Sequence, residues 1–196
     1  MDTVQSRLYD YLTSSQRTLN LSNLGLTELP LLPFFIKELD CSHNKLIKIT
    51  DLPQYLEYLD CSHNDIIAVI LPNTLLTLNC SANKIQNLAI PMSLRSLICC
   101  NNQMLKLNFE SFSELRLLNC SQNKLIDLKV PFYVIFLSCE DNSYLTIDNK
   151  PPNYHIIVNS LKKIWRTMNI PEIKYLPGRQ AYRELTKKYQ GVFCDL

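Results

Sequence analysis

Eight cysteines and three histidines carry the widest range of chemistry in this sequence of 196 residues. Six of the cysteines (Cys41, Cys61, Cys80, Cys99, Cys120 and Cys139) recur at intervals of 19 to 21 residues. Thiols in a regular series suggest zinc ligands, disulfides or nucleophiles, and spacing and ionisation decide among them. No Cys-x-x-Cys pair with zinc spacing occurs, so the series is not a zinc framework. His43 and His63 fall at equivalent points beside Asp40 and Asp60. Two imidazoles and two carboxylates are suitable metal donors. Their register follows automatically from a repeat, however, so no metal is needed to explain it and none is assigned. His155 stands apart from that pattern. No nucleophile–base–acid arrangement, glycine-rich phosphate loop or Walker-like motif appears. The expectation is a protein without catalytic residues or cofactor.

The element that positions the cysteines is a repeat. Six copies align on Leu-x-Cys-Ser-x-Asn-x-Leu: LDCSHNKL from Leu39, LDCSHNDI from Leu59, LNCSANKI from Leu78, LICCNNQM from Leu97, LNCSQNKL from Leu118 and LSCEDNSY from Leu137. An earlier copy, LNLSNLGL from Leu19, has Leu24 where the others have Asn. In Leu-x-Cys the first and third residues share one face of a short strand, because side chains alternate with period two. Those two point inward and the intervening ones outward. Successive copies then stack as a parallel sheet. Free Cys behaves as a small hydrophobe, so the six form a core column. Neighbouring parallel strands also hold side chains in a geometry poor for the disulfide torsion. Cys100, outward on the sheet, and Cys194, in the tail, are the expected reactive thiols. The Asn at the sixth position (Asn44, Asn64, Asn83, Asn102, Asn123, Asn142) stands where the chain leaves the strand. A buried amide there satisfies backbone groups that the turn leaves unpaired, forming a structural ladder.

The return half of each copy is too short for a regular helix and carries Pro30, Pro33, Pro53, Pro72, Pro91 and Pro131. Extended or 3₁₀-like turns are expected there. The pattern Leu-x-Leu-Ser-x-Leu-x-Leu-Thr-x-Leu-Pro at 19–30, with its Leu-Pro-x-x-Leu returns, resembles the short bacterial-type leucine-rich repeats. Proteins of that kind occur among secreted bacterial effectors and in large DNA viruses. The resemblance implies an α/β solenoid with a parallel sheet on its concave face and helical caps at both ends. It says less about function, because the family shares architecture rather than chemistry. Effectors of this type often carry a ubiquitin-ligase domain with a Cys-x-Asp nucleophile. Here Cys194 is followed directly by Asp195, a departure that removes the one enzymatic activity the resemblance would suggest.

The expected organisation is an N-terminal helical cap over 1–18, repeats over 19–153, and a basic helical cap over 154–196. Residues 2–14 place Val4, Leu8 and Leu12 on one helical face, and 154–168 place Ile157, Leu161, Ile164, Trp165 and Met168 on another. The tail from His155 holds Lys162, Lys163, Arg166, Lys174, Arg179, Arg183, Lys187 and Lys188 against three acids. That excess of +5, within an overall +2, leaves −3 for residues 1–154. A basic face of this size suits phosphate or an acidic partner, although such runs are more often the solvated side of an amphipathic helix.

The outward strand positions are the remaining candidate surface. The partner-binding set is Asp40, Ser42, His43, Tyr58, Asp60, Ser62, His63, Asn79, Ser81, Asn101, Asn119, Ser121, Phe136 and Glu140. Small Ser side chains would keep this face shallow, with Tyr58, Leu117 and Phe136 as apolar anchors at one margin. No run of 18 apolar residues occurs, so no membrane-spanning helix is expected. The charged N-terminus (Asp2, Arg7, Asp10) is unlike a secretory signal. Eight cysteines without such a signal point to reduced thiols and a cytoplasmic setting, in a host cell or virion if the chain is viral. The expected function is non-enzymatic binding of a protein partner along the repeats. A structural role in a virion or assembly, and nucleic-acid or polyanion binding through the tail, are the alternatives.

Overall fold

A computed structural model describes residues 3–109, 113–134, 136–143, 145–148 and 155–156. Helix α1 (Val4–Thr13) opens the chain, capped by Thr3, whose Oγ1 accepts from Ser6 N at 3.2 Å while Thr3 N donates back to Ser6 Oγ at 3.0 Å. Leu8 and Tyr11 pack against the core, whereas Leu12 is exposed. The Val4–Leu8–Leu12 face expected from spacing is corrected to one containing Tyr11. A row spaced by four drifts about 40° per step around a helix of 3.6 residues per turn, which carries Leu12 off the contact.

Eight short strands then stack in one parallel sheet. They are β1 (Thr18–Asn20), β2 (Glu38–Asp40), β4 (Tyr58–Asp60), β6 (Thr77–Asn79), β7 (Ser96–Ile98), β8 (Leu117–Asn119), β10 (Phe136–Ser138) and β12 (His155–Ile156). The register aligns the central leucines: Leu39 pairs with Leu59, Leu59 with Leu78, Leu78 with Leu97, and Leu97 with Leu118. Strand β12 pairs with β10 through His155 and Ile156. It falls inside the stretch read from spacing as a helix over 154–168, so the sheet continues past the expected end of the repeats. The remainder of that stretch, and the basic tail, lie outside the described residues. On the convex side β3 (Lys48–Ile49) pairs with β5 (Ala68–Val69), and β9 (Asp127–Lys129) with β11 (Thr146–Asp148).

The inward Leu and Cys of each copy are buried in one continuous core. Burying a leucine contributes roughly 1.5–3 kcal/mol, and no coil can bury its set without a neighbour on each side. The return turns have a simple basis. The carbonyls of Pro33, Pro53, Pro72, Pro91 and Pro131 accept from the amides of Ile36, Leu56, Leu75, Leu94 and Val134 at 3.1–3.3 Å. Each Pro thus begins a β-turn whose fourth residue drops back into the core.

The turn out of each strand is more demanding. The residue just before the ladder position has positive φ in every copy: Asn23 (59°), His43 (53°), His63 (53°), Ala82 (51°), Asn101 (53°), Gln122 (53°) and Asp141 (53°). This left-handed conformation lets the next residue point inward. Asn, Asp and His tolerate it best among residues with a side chain, and they fill five of the seven positions.

The inward Asn stitches neighbouring coils. Asn83 Nδ2 donates to Cys61 O (3.0 Å), Cys80 O (3.2 Å) and Ser81 O (3.0 Å), and its Oδ1 accepts from Ile66 N at 2.8 Å. Asn44, Asn64, Asn102, Asn123 and Asn142 repeat the arrangement. The first coil lacks its own Asn, and Asn44 Oδ1 accepts from both Leu24 N and Leu26 N there.

Candidate functional site

The concave sheet face is built from the two outward side chains of each strand and the residues just beyond. Its N-terminal half is acidic and open. Glu38, Asp40, Tyr58 and Asp60 lie side by side on β2 and β4, all half-buried. Thr18 Oγ1 donates to Glu38 Oε2 at 2.6 Å. Asp60 Oδ1 accepts from Ser62 N (2.9 Å) and Ser62 Oγ (2.6 Å), and Oδ2 accepts from Asn79 Nδ2 (3.0 Å). Burial raises the Asp60 pKa above the usual carboxylate range against these hydrogen bonds, and Asp40 adds to the rise. Burial also drives the Tyr58 phenol well up, helped by Asp60, Asp40 and Glu38. Below this patch the His43 and His63 rings stack at 4.2 Å with 7° between planes.

The serines of the expected binding set have a different task. Ser42, Ser62 and Ser81 are buried, and each hydroxyl donates to the Asp or Asn two residues earlier: Asp40 (2.7 Å), Asp60 (2.6 Å) and Asn79 (2.8 Å). Their amides donate to the same oxygens. Ser121 and Asn119 repeat the motif at 2.7 Å. These are Asx-type turns that end the strand, so the Ser row is committed to the fold. Asn79 and Asn119 are buried too, while Asn101 is exposed and Glu140 half-buried.

The C-terminal half of the face departs further from expectation. Ile98, Cys100 and Leu117 point outward from the sheet, yet their exposures are 0%, 1% and 4%. They form an apolar cluster of their own, with half-buried Phe136 packed against it. Ser96 Oγ, on the same face of β7, is buried with no hydrogen-bond partner among the described residues. Cys100, expected to be an exposed reactive thiol, is instead disulfide-bonded. Period-two alternation puts these side chains on the outer face correctly, but it cannot show that the outer face is covered there.

The inward thiols of Cys41, Cys61, Cys80, Cys99, Cys120 and Cys139 are free. Burial pushes every one of them up, Cys80 to about 12 and Cys139 to about 11. A thiol held protonated by burial is a weak nucleophile and a weak metal ligand. Among the described residues no three His, Cys, Asp or Glu side chains come together to hold a metal, and no helix is long and apolar enough to cross a membrane.

One surface feature escapes the sequence reading. Ile47, Ile67, Leu105 and Ile126 are large exposed apolar residues on the convex side, each three positions after a ladder Asn, with Gln86 breaking the row. Apolar residues at an outward repeat position were the available signal.

A parallel sheet with one strand per coil, an inward Leu and Cys column, an Asn ladder and short convex turns define a leucine-rich-repeat solenoid. Among solved structures, the chain resembles YopM from Yersinia enterocolitica WA-314, with 28% identity and a TM-score of 0.61 over 77% of this chain. It spans only 39% of that protein. It also resembles a Shigella effector leucine-rich-repeat domain, with 26% identity and a TM-score of 0.65, covering 86% of this chain and 83% of that one. The functional domain of InlJ from Listeria monocytogenes, which includes a cysteine ladder, shares the fold at 24% identity and a TM-score of 0.50, over 76% of this chain and 38% of that one. The resemblance is therefore to bacterial-effector leucine-rich-repeat proteins. No protein-family model and no curated protein sequence matches the chain.

Proposed function

We propose that this chain is a non-enzymatic interaction module that holds a protein partner on its concave face, working in the cytoplasm of a host cell and needing no cofactor. The open acidic half of the sheet carries the reading. Glu38, Asp40, Tyr58 and Asp60 form a contiguous patch on strands whose exits are pinned by Ser42 N donating to Asp40 Oδ1 and Ser62 N donating to Asp60 Oδ1, which makes it a preorganised surface. An aromatic ring among carboxylates suits a basic partner segment, with Tyr58 as the buried anchor and the acids steering the approach. Resemblance to a Shigella effector domain supports a role in binding proteins. A bacterial or viral source fits the repeat type equally.

The test is site-specific photocrosslinking in host lysate, with a photoreactive amino acid at Tyr58 or at Ile67. One protein captured from position 58, and lost when Glu38→Lys is added, supports the reading. Capture only from position 67 moves the working surface to the convex row. Retention of nucleic acid alone, released by salt, assigns the function to the basic residues Lys162, Lys163, Arg166, Lys174, Arg179, Arg183, Lys187 and Lys188. Fixed-stoichiometry copurification with particles supports a structural role.

A further inference from the structure

The aliphatic row on the convex side has no task in the fold. Ile47, Ile67, Leu105 and Ile126 each follow a ladder Asn by three positions and remain between 47% and 57% exposed. The core takes their neighbours instead, since Leu46, Ile66, Met104 and Leu125 are buried. Thr27 and Gln86 hold the same position in two other coils, so the turn accepts a polar side chain there. Ile67 N donates to Ile47 O at 2.9 Å and Ile126 N to Leu105 O at 3.4 Å, which sets each pair side by side. Ile47 and Ile126 are four coils apart, about 20 Å at ~4.8 Å per coil. Scattered exposed aliphatics need no explanation, but a row of them rimmed by charge marks a contact surface.

We infer that this row seats the protein on an anionic phospholipid membrane, its aliphatic side chains entering the interface and the lysines beside them meeting the phosphates. The rim is basic. One position after the ladder Asn stand Lys45, Asp65, Lys84 and Lys124, and four positions after it stand Lys48, Lys106 and Asp127. All five lysines are exposed, whereas Asp65 is taken by an ion pair with Lys84 and Asp127 is half-buried. Five lysines against two aspartates leave +3. The first coil has Glu28 at the equivalent point, so the patch begins with the second. A lysine lays its stem along apolar surface and keeps its ammonium at headgroup level, which suits alternation with isoleucine. These positions contain no arginine and no aromatic ring, the groups that stack on nucleic-acid bases, so a lipid surface is the better fit. Glu38, Asp40 and Asp60 put negative charge on the concave face, so an anionic surface attracts one side of the solenoid and repels the other.

Seated this way, the protein turns its concave face away from the membrane, and a protein partner and the lipid meet opposite sides of one chain. The inference stands on the convex residues alone and does not depend on the reading of the acidic patch. Burying the open half of one isoleucine changes partitioning by about three- to tenfold, and each lysine near an anionic leaflet by about fivefold. Neither kind of contact holds a protein on a membrane singly, and the row supplies both.

Co-sedimentation of the full chain with phosphatidylcholine vesicles, with and without phosphatidylserine, tests this without any protein partner. Binding only where phosphatidylserine is present, and weakened by salt, is the expected result. Ile47→Gln with Ile67→Gln should lower the partition coefficient by about tenfold or more, and Lys45→Gln with Lys124→Gln by about twentyfold, with the fold checked by circular dichroism. Gln86→Ile closes the row and should raise the coefficient by about threefold with an unchanged thermal melt. Absence of binding to either vesicle overturns the inference. Binding indifferent to the changes at Ile47, Ile67 and Gln86 overturns it too and assigns the attraction to other lysines. Equal retention on RNA, again indifferent to those changes, makes the surface a general polyanion site and has the same consequence. An oligomer in light scattering that Ile67→Gln disperses makes the row a contact between copies instead.

Discussion

Replacing Asn83 by Ala removes one rung from the middle of the ladder, and its cost can be worked from individual bonds. Three carbonyls lose a donor, but each keeps another. Cys61 O retains Asn64 Nδ2 at 3.2 Å, Cys80 O retains Asn102 Nδ2 at 2.9 Å, and Ser81 O retains His63 N at 3.0 Å. Ile66 N is different, because its bond to Asn83 Oδ1 at 2.8 Å is buried and no other described acceptor replaces it. An orphaned buried amide costs about 1–3 kcal/mol, and thinning three further bonds adds about 1 kcal/mol. The expected loss is therefore about 3 kcal/mol. With a urea m-value of about 2 kcal/mol/M, the midpoint followed by circular dichroism should fall by about 1.5 M. Asn73→Ala, on an exposed turn, is the control and should change it little. Equal midpoints for the two variants would refute the reasoning and show that the ladder amides are dispensable to the stack.

Three other outcomes follow from the same geometry. Ala82 sits at φ 51°, where a Cβ costs about 1–2 kcal/mol. Glycine gives back about 0.5–1 kcal/mol through unfolded-state entropy, so Ala82→Gly should stabilise by about 0.5 kcal/mol, read as a higher urea midpoint. Asp60 has a raised folded-state pKa, so its contribution is present below the ordinary carboxylate value and is lost as pH rises through the raised one. Asp60→Asn should remove that loss, flattening stability between acidic and neutral pH, and parallel pH profiles for the two proteins would refute the assignment. Iodoacetamide at pH 8 should leave Cys41, Cys61, Cys80, Cys99 and Cys120 unmodified in the folded chain and label all five in urea. Mass spectrometry of the tryptic peptides checks this.

The architecture was legible because it is written seven times. A strand of three residues says little alone, but Leu-x-Cys recurring every 19 to 21 residues fixes inward and outward faces together. The Asn ladder was legible for the same reason, since a polar residue amid apolar ones needs buried partners. The Ser row was misleading. Serine repeated on an outward position resembles a flat binding surface, and only the oxygens 2.6–2.8 Å away on Asp40, Asp60 and Asn79 show it closing a turn. The left-handed residue could have been read from Asn, His and Asp at that position, had Ala82 and Gln122 not masked the preference.

What repetition cannot convey is where the copies stop being equivalent to their surroundings. Position for position, Ile98 aligns with Asp60 and Asn79, and Leu117 with Tyr58 and Thr77. Two apolar substitutions in outward rows look like noise in a pattern built of polar residues. On the folded sheet they are adjacent, inaccessible and beside a bonded cysteine, while Tyr58 and Asp60 in the same rows, two strands from β7, are only half-buried. Breaks in the repeat therefore mark where the surroundings of equivalent positions differ. The repeated positions build the scaffold, and the exceptions divide its concave face into a half-buried acidic part and a buried apolar part.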